Sequence, residues 1–460
     1  MNPDKVLRDP VHNLITFAGE EGRLLLELID RPEFQRLRRI RQLGLTFLAY
    51  PGAEHSRWVH SVGVCHLARR MLDALRARHG CDSEEYKGLQ GLRREIAVAA
   101  LLHDVGHGPF SHVFERAVPK VKAPPTGYPG DHEGWSERII VERFGPVLRA
   151  HSVDVGVVAG LINKKNRANL LAKDFISSQL DADRMDYLLR DSRAAGPKYG
   201  EFDLEWLLHS LRIGNVKVRG QTEGVWRLCF DTGKAIHVIE EYIQARDFMY
   251  AQVYIHKTTR AYEAMLKNAL GLATVITGGD PAKAPQPCPP ALAKMLAGQP
   301  VSVDEYLTLD DFQLWVTLID WSRSATSIDQ QHSRLGRLCR SLVDRQQPYK
   351  YVDCDDRDKQ DHALAFSTKV QGTLLEFSCH RDTFVDLAYR NAYYRKSTEH
   401  EEEEDRVIHV VDREGNAHPV ETSSEFIKAI SSIETRICRL YYDESDQDIM
   451  VRLRDDGWAV

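Results

Sequence analysis

Leu101-Leu102-His103-Asp104-Val105-Gly106-His107-Gly108-Pro109-Phe110-Ser111-His112 sets three histidines and a carboxylate within a turn or two of backbone, directly after an apolar helical run that its glycines and proline end. Imidazole nitrogen and carboxylate oxygen are the usual ligands of a divalent ion of borderline softness. Glycine lets backbone or a phosphate-sized ligand come close. The stretch therefore predicts a helix end that carries a metal-centred phosphate site. A His-Asp dipeptide alone is weak evidence, because it also occurs at ordinary capped helix ends. Its company strengthens it, since eight of the 19 histidines fall between His55 and His132.

Working outward, residues 92–102 read as the apolar helix that delivers His103 and Asp104. Neighbouring residues on a helix diverge by about 100°, so one ion meets both only beyond the helix edge, with ligands arriving from elsewhere. Upstream, helical periodicity through Leu67, Met71 and Leu75 puts Arg57 and His60 on one face. That pair suits a phosphate held by the guanidinium beside a metal held by the imidazole. His55 and His66 lack such a partner and read as structural or exposed.

Downstream, the acidic run from Gln179 to Asp191 supplies carboxylates. On a helix Asp183, Tyr187 and Asp191 recur every fourth residue and Arg184 lies beside them. One face thus offers a metal ligand, a phenol, a carboxylate for a sugar hydroxyl and a cation for phosphate. Asp181, Asp186 and Arg190 read as a surface salt-bridge ladder. Between the two motifs a proline- and glycine-rich loop, 123–130, precedes Asp131-His132-Glu133, and His132 is a candidate acid/base or outer-sphere group.

Toward the N-terminus the spacing predicts helices over 22–29 and 33–43. The second has Asp30 as N-cap, Glu33 completing a capping box, Phe34, Leu37, Ile40 and Leu43 on its apolar face, and Gly44 as its stop. Its arginine-rich opposite face would suit a nucleotide. Further on, one long helix is expected over 234–270, with Arg246, Tyr250, Tyr254 and Lys257 in a stripe that could wall a nucleotide. Residues 278–290 form a proline-rich insertion or linker, helices resume over 303–318 and 333–345, and strands are expected at 372–377 and 407–411 around an acidic loop at 399–405. A closing helix over 424–440 precedes an acidic tail.

Composition narrows the class. Hydrophobic content of 43% and charged content of 28% are ordinary for a globular protein, and 460 residues allow two or three domains. Met1-Asn2-Pro3-Asp4-Lys5 lacks the apolar core of a secretion signal and no run is long enough to span a membrane, so a cytoplasmic, non-membrane protein is expected. Eight cysteines without a C-x-x-C pair read as reduced thiols. A net charge of −6 gives no global pull on nucleic acid, which is admitted as a partner but not expected.

The combination Asp9-Pro10-Val11-His12, Gln42-Leu43-Gly44, His55-Ser56-Arg57-Trp58-Val59-His60-Ser61, the 103–112 stretch, His132-Glu133, Asp183-Arg184-Met185-Asp186-Tyr187 with Arg190-Asp191, and Tyr254-Ile255-His256-Lys257 resembles the HD-domain deoxynucleoside triphosphate triphosphohydrolases, and most of all the vertebrate SAM-and-HD-domain enzyme without its SAM domain. The likeness covers most of the first 270 residues. It implies a mainly α fold: an HD-domain helical catalytic core over 1–278, an insertion and helical segment over 279–345, and a smaller C-terminal α+β lobe over 346–460 for assembly or regulation. It implies that His60, His103, Asp104 and Asp183 hold a divalent ion, whether iron, manganese, nickel, cobalt or zinc, with magnesium admitted at a second site. Arg57 would grip phosphate, and Gln42, Leu43, Tyr187, Asp191 and Tyr254 would surround the deoxyribose.

His107, His112 and His132 match histidines beside the triphosphate, with His112 as proton donor oriented by Glu115. Arg184 replaces the family lysine and Glu115 an aspartate; Tyr250 and Gln252 replace a histidine and an arginine. Lys5, Asp30, Gln35 and Arg38 match an activator site for GTP or a dNTP, and the family habit implies a homo-oligomer, a tetramer or similar. The implied reaction is hydrolysis of a dNTP to deoxynucleoside and inorganic triphosphate. The alternatives are another HD-domain nucleotidase or nuclease, or a nucleotide-sensing scaffold without turnover.

Overall fold

The computed structural model describes residues 4–163, 169–217, 224–326, 329–346, 349–353, 384–390, 393, 407–431, 433, 435–443 and 451. At its centre lies the apolar run ahead of the HD pair. Ile96 to Leu102 are fully buried, and their helix, α4 (Arg93–Leu102), packs against the long helix that carries Arg57 and His60. The polypeptide winds a mainly α body around this pair, with small sheets at its margins.

The first elements are an antiparallel hairpin, β1 (Lys5–Asp9) and β2 (Asn13–Phe17), which the hydrophobic pattern had not suggested. Asp9 Oδ1 accepts from the amides of Val11 and His12 at 2.8 and 2.9 Å, so its carboxylate closes the turn. Next come α1 (Gly19–Ile29) and the single turn α2 (Pro32–Gln35). The helix expected over 33–43 is not continuous. Arg36–Arg39 tightens into a 3-10 turn and Ile40 is extended, with φ −123° and ψ 116°. The carbonyl of Ile40 there accepts from Arg57 N at 2.9 Å, satisfying a free amide at the start of α3 (Arg57–His79). Asp30 is the C-cap of α1, not an N-cap; Arg31 precedes α2 and pairs with Glu33.

After α4 (Arg93–Leu102) come the short helices α5 (His112–Ala117), α6 (His132–Ile139), α7 (Gly145–Ala150), α8 (Val155–Ile162) and α9 (Leu170–Lys173), and then α10 (Ala182–Ala195), which lies on α3. α11 (Leu204–His209) leads to the hairpin β3 (Leu211–Val216) and β4 (Val225–Asp231). The long helix expected over 234–270 is two helices, α12 (Thr232–Met249) and α13 (Lys257–Thr277). A widened π turn over Tyr250–Tyr254 and an extended His256 separate them. Such turns re-aim side chains toward functional sites.

The proline-rich segment is packed rather than a free linker, because Trp321 Nε1 donates to the carbonyls of Pro285 and Pro287 at 2.9 and 3.0 Å. It leads to α14 (Pro290–Leu296), α15 (Val303–Leu307), α16 (Asp311–Ser322) and α17 (Gln330–Val343). The helix expected over 303–318 is interrupted at Leu309, whose carbonyl accepts from the buried Arg36 guanidinium at 2.6 and 2.9 Å.

Beyond residue 346 the described strands join earlier elements. β7 (His409–Val411) pairs in parallel with β4, β8 (Ala417–Pro419) extends that sheet, and β5 (Lys350–Asp353), β9 (Thr435–Tyr442) and β6 (Phe384–Arg390) form a second. The boundary expected at 346 therefore crosses a shared sheet. The closing helix expected over 424–440 is α18 (Glu425–Ser431) followed by β9, where Cys438 and Leu440 are buried at period two. The strand expected at 372–377, the acidic loop at 399–405 and most of the acidic tail lie outside the described residues. Among those described, no helix is long and apolar enough to cross a membrane.

Candidate active site

Four side chains from three helical segments converge where α4 ends. His103 Nδ1 bonds the carbonyl of Ala100 at 2.9 Å, and His60 Nδ1 bonds Asp186 Oδ2 at 2.8 Å. Each ring thereby turns its Nε2 inward, and both Nε2 atoms are buried without a hydrogen-bond partner. His60 Nε2 lies 3.0 Å from Asp183 Oδ1 and 3.7 Å from Asp104 Oδ2; His103 Nε2 lies 3.6 Å from Asp183 and 3.3 Å from Asp104 Oδ1. Close approach off the hydrogen-bond axis is what atoms facing a common centre show. Burial lowers the pKa of His60, but Asp183 and Asp186 more than offset it and raise it to about 10. The field at this point favours a cation, and the mixed nitrogen and oxygen donor set fits a divalent transition ion.

Behind these four side chains stands a buried layer, Asp186 and Arg190, where a surface salt-bridge ladder was expected. Asp186 is fully buried; its carboxylate meets His60, His12 Nε2 at 2.6 Å and the Arg190 guanidinium at 2.8 Å, and Arg190 in turn meets Asp9 at 2.9 Å. Against burial, Arg190, His12 and His60 hold Asp186 well below the usual carboxylate range. Gly63 makes room for this layer, since a Cβ there would sit 2.0 Å from Asp186 Oδ1 and 2.4 Å from Arg190 Nη2. The Asp186→Asn substitution is expected to weaken divalent-ion affinity by about 10- to 100-fold, because an orienting carboxylate is lost from a ligating imidazole. Equilibrium dialysis with manganese reads the shift. Unchanged affinity would show that His60 needs no such support.

The turn after His103 is held from two sides. Gly106 lets the backbone of α6 approach, since a Cβ would lie 2.2 Å from Ser136 N and 2.3 Å from the carbonyl of His132. Ser136 Oγ donates to the carbonyl of His103 at 2.7 Å and accepts from Gly106 N at 2.9 Å. Phe110 and Ser111 take positive φ of 49° and 56°, which costs side-chain-bearing residues energy and marks a functional turn. Phe110 N donates to Asp311 Oδ1 at 2.7 Å, fixing the strain.

Three imidazoles line the cleft beside this turn. His107 stacks on His132 with centroids 4.1 Å apart, and His112 meets both edge-on at 5.2 and 5.0 Å. Arg57 donates to Asp104 at 2.5 Å and to Ser111 Oγ at 2.9 Å, so its guanidinium is fixed at the cleft floor. Against burial, Arg57 and His103 hold Asp104 well below its ordinary range. Glu115 is closer to His132 Nδ1, at 2.9 Å, than to His112 Nδ1, at 3.9 Å, so here it orients His132 first.

The cleft as a whole holds about 660 Å³, and its far end is lined by Gln42, Leu43, Arg184, Tyr187, Asp191 and Tyr254. Gln42 Oε1 is buried there without a hydrogen-bond partner. Asp191 accepts from Tyr254 Oη at 2.9 Å and pairs with His55 Nε2 at 2.8 Å, a structural contact for His55 at the edge of the cleft. Arg184 is anchored on Asp181 at 2.6 Å.

The structure places other expected residues elsewhere. Arg246 is buried, bonding Gln179 Oε1 at 2.7 Å, with Tyr250 across its guanidinium. Lys257 begins α13 and donates to Tyr351 Oη at 2.6 Å, because the break at His256 turns it out of the stripe. Arg260, one turn later, lines the cleft and is clamped by Asp386 of β6 at 2.8 Å. Lys5, Asp30, Gln35 and Arg38, matched to an activator site and not to the cleft, lie outside it; Gln35 bonds the carbonyl of Ile29 at 2.7 Å and Arg38, and Arg38 lies 3.6 Å over the Trp58 ring.

The geometry has counterparts in known proteins. A family model described as HD domain matches residues 57–191. Uncharacterized protein YwfO of Bacillus subtilis is 32% identical over 448 residues, spanning 96% of this chain and 93% of YwfO. Deoxynucleoside triphosphate triphosphohydrolase SAMHD1 of Danio rerio is 29% identical over 301 residues, and the match takes in 58% of this chain but only 44% of that protein. The crystal structure of a phosphohydrolase from Bacteroides thetaiotaomicron superposes with a TM-score of 0.72 at 26% identity, covering 96% of this chain and all of the other.

Proposed function

The chain belongs to the HD-domain phosphohydrolase family, and from that premise we propose that it hydrolyses deoxynucleoside triphosphates to deoxynucleoside and inorganic triphosphate. The observation that carries this reading is the adjacency, around one cleft, of the His60, His103, Asp104 and Asp183 cluster, three imidazoles, and an end lined by aromatic and carboxylate side chains. When bound by those four residues, a divalent ion supplies Lewis-acid polarisation and water activation.

The rest falls to the protein. Arg57, fixed by Asp104 and Ser111, and Arg184 balance charge on the phosphates. Arg260 stands in the cleft where Lys257 was expected to help. A water oxygen bonds to the α-phosphorus as the bond to the 5′ oxygen breaks, and His112 gives its proton to that leaving oxygen. Tyr254, tied to Asp191 and packed edge-on to Tyr187 at 6.0 Å, stands at the proposed sugar end, and in this reading its ring excludes a 2′-hydroxyl by a steric clash.

Chromatography of products from each of the four dNTPs, with several divalent metals and with and without GTP, tests the reading. Intact triphosphate and a deoxynucleoside are expected, with the matching NTP turned over poorly. Monophosphate, pyrophosphate or shortened oligonucleotides as products would point to a nucleotidase or nuclease instead, and no turnover under any condition would favour a sensing role.

A further inference from the structure

A second cluster of metal-ligand type lies beside the four residues above, with His107 Nε2 3.3 Å from Asp104 Oδ1. His107, His112 and His132 each offer one ring nitrogen, and these three atoms lie within 4.8 Å of one another. We propose that they form a second divalent-cation site, selective for a borderline ion such as zinc, cobalt or nickel, and that filling it inhibits the enzyme.

Two features prepare the cluster for an ion. His132 Nδ1 rests on Glu115 Oε2 at 2.9 Å, which fixes its tautomer and leaves Nε2, 4.0 Å from Glu133 Oε1, as the ligating nitrogen, the carboxylate–histidine arrangement found behind ligating imidazoles. His107 is only 2% exposed, and its Nδ1 is buried with no hydrogen-bond partner. An ion at about 2.0–2.1 Å from each nitrogen needs the ligands about 3.3–3.4 Å apart, so the cluster must contract and the near-parallel His107–His132 stack must open to aim both in-plane lone pairs at one point. His112 can supply part of that movement, because its side chain is 52% exposed at the first turn of a six-residue helix. An all-imidazole set disfavours magnesium, a hard ion that keeps oxygen ligands, so the magnesium expectation does not fit these residues.

Binding depends on this geometry alone, whereas inhibition rests on the proton-donor role proposed above for His112. A ligating nitrogen cannot carry the proton that the leaving oxygen needs. Excess metal of the right kind therefore switches the site off without displacing the ion held by His60 and its partners.

The test titrates chelator-stripped, full-length protein with cobalt in the absence of substrate, reading bound metal by equilibrium dialysis and ligand field by visible absorption. Wild type is expected to take two equivalents. His132→Ala and His112→Ala are each expected to take one, and the exposure of His112 keeps the latter variant folded. His60→Ala is also expected to take one, with the absorption of the three-imidazole site left behind. A single equivalent in wild type, or a second equivalent undiminished in both His112→Ala and His132→Ala, would overturn the site. Turnover that continues unslowed with both sites filled would overturn the inhibition. Absence of dNTP hydrolysis under every condition would remove the proposed reaction but leave the cobalt count to stand or fall separately.

Discussion

His103→Ala combined with Asp104→Ala is expected to yield a folded protein that neither retains a divalent ion nor releases triphosphate. Lewis-acid stabilisation contributes several kcal/mol to the transition state, and each 1.36 kcal/mol is tenfold, so the rate should fall by about a thousandfold or more. Folding should survive. The His103 ring bonds only the carbonyl of Ala100, and Arg57, deprived of Asp104, still reaches Ser111 Oγ and the carbonyl of Gln42. Circular dichroism establishes the fold, metal analysis the ion, and product chromatography the rate. Full activity in the folded variant would end the metal-centred reading.

His112→Ala is expected to reduce turnover by about 10²–10⁴-fold, the range for loss of a general acid, while dNTP binding persists. In the free protein Glu115 raises the His112 pKa, but burial, Arg57 and His132 outweigh it and hold it below its ordinary value. The proton is therefore held best once a polyanionic triphosphate arrives beside the ring. This predicts a turnover defect with little change in KM. An unchanged rate would remove the role from His112, and a defect confined to His132→Ala would transfer it to the ring that Glu115 contacts more closely.

Helical spacing showed which side chains share a face, and the likeness to the HD family joined His60, His103, Asp104 and Asp183 into one set. Arg57 with His60, and Asp183 with Tyr187 and Asp191, needed only a period of 3.6. What periodicity could not reveal was burial. Asp186 and Arg190, spaced four apart, look the same in a surface ladder as in the fully buried network that grips His60 and Asp9. The signal that could have separated them was Gly63, an otherwise unexplained glycine inside a helix three residues after His60.

Helix breaks were hidden for a related reason. Ile40 has apolar helical spacing, yet its carbonyl is drawn to Arg57 N, and Leu309 is similarly claimed by Arg36. Both are tertiary contacts between distant segments. The π turn at Tyr250–Tyr254 moved Lys257 out of a stripe that an unbroken helix would have kept. In the C-terminal part, β9 buries Cys438 and Leu440 at period two, yet Ile437, Leu440 and Tyr441 also fall at helical spacing, so the run reads equally well as helix.

The most direct test of a shared ion is anomalous diffraction from crystals of the manganese-loaded protein. One peak is expected at about 2.0–2.3 Å from His60 Nε2, His103 Nε2, Asp104 and Asp183 together. A peak bound by other residues, or none at this position in fully loaded protein, would contradict it.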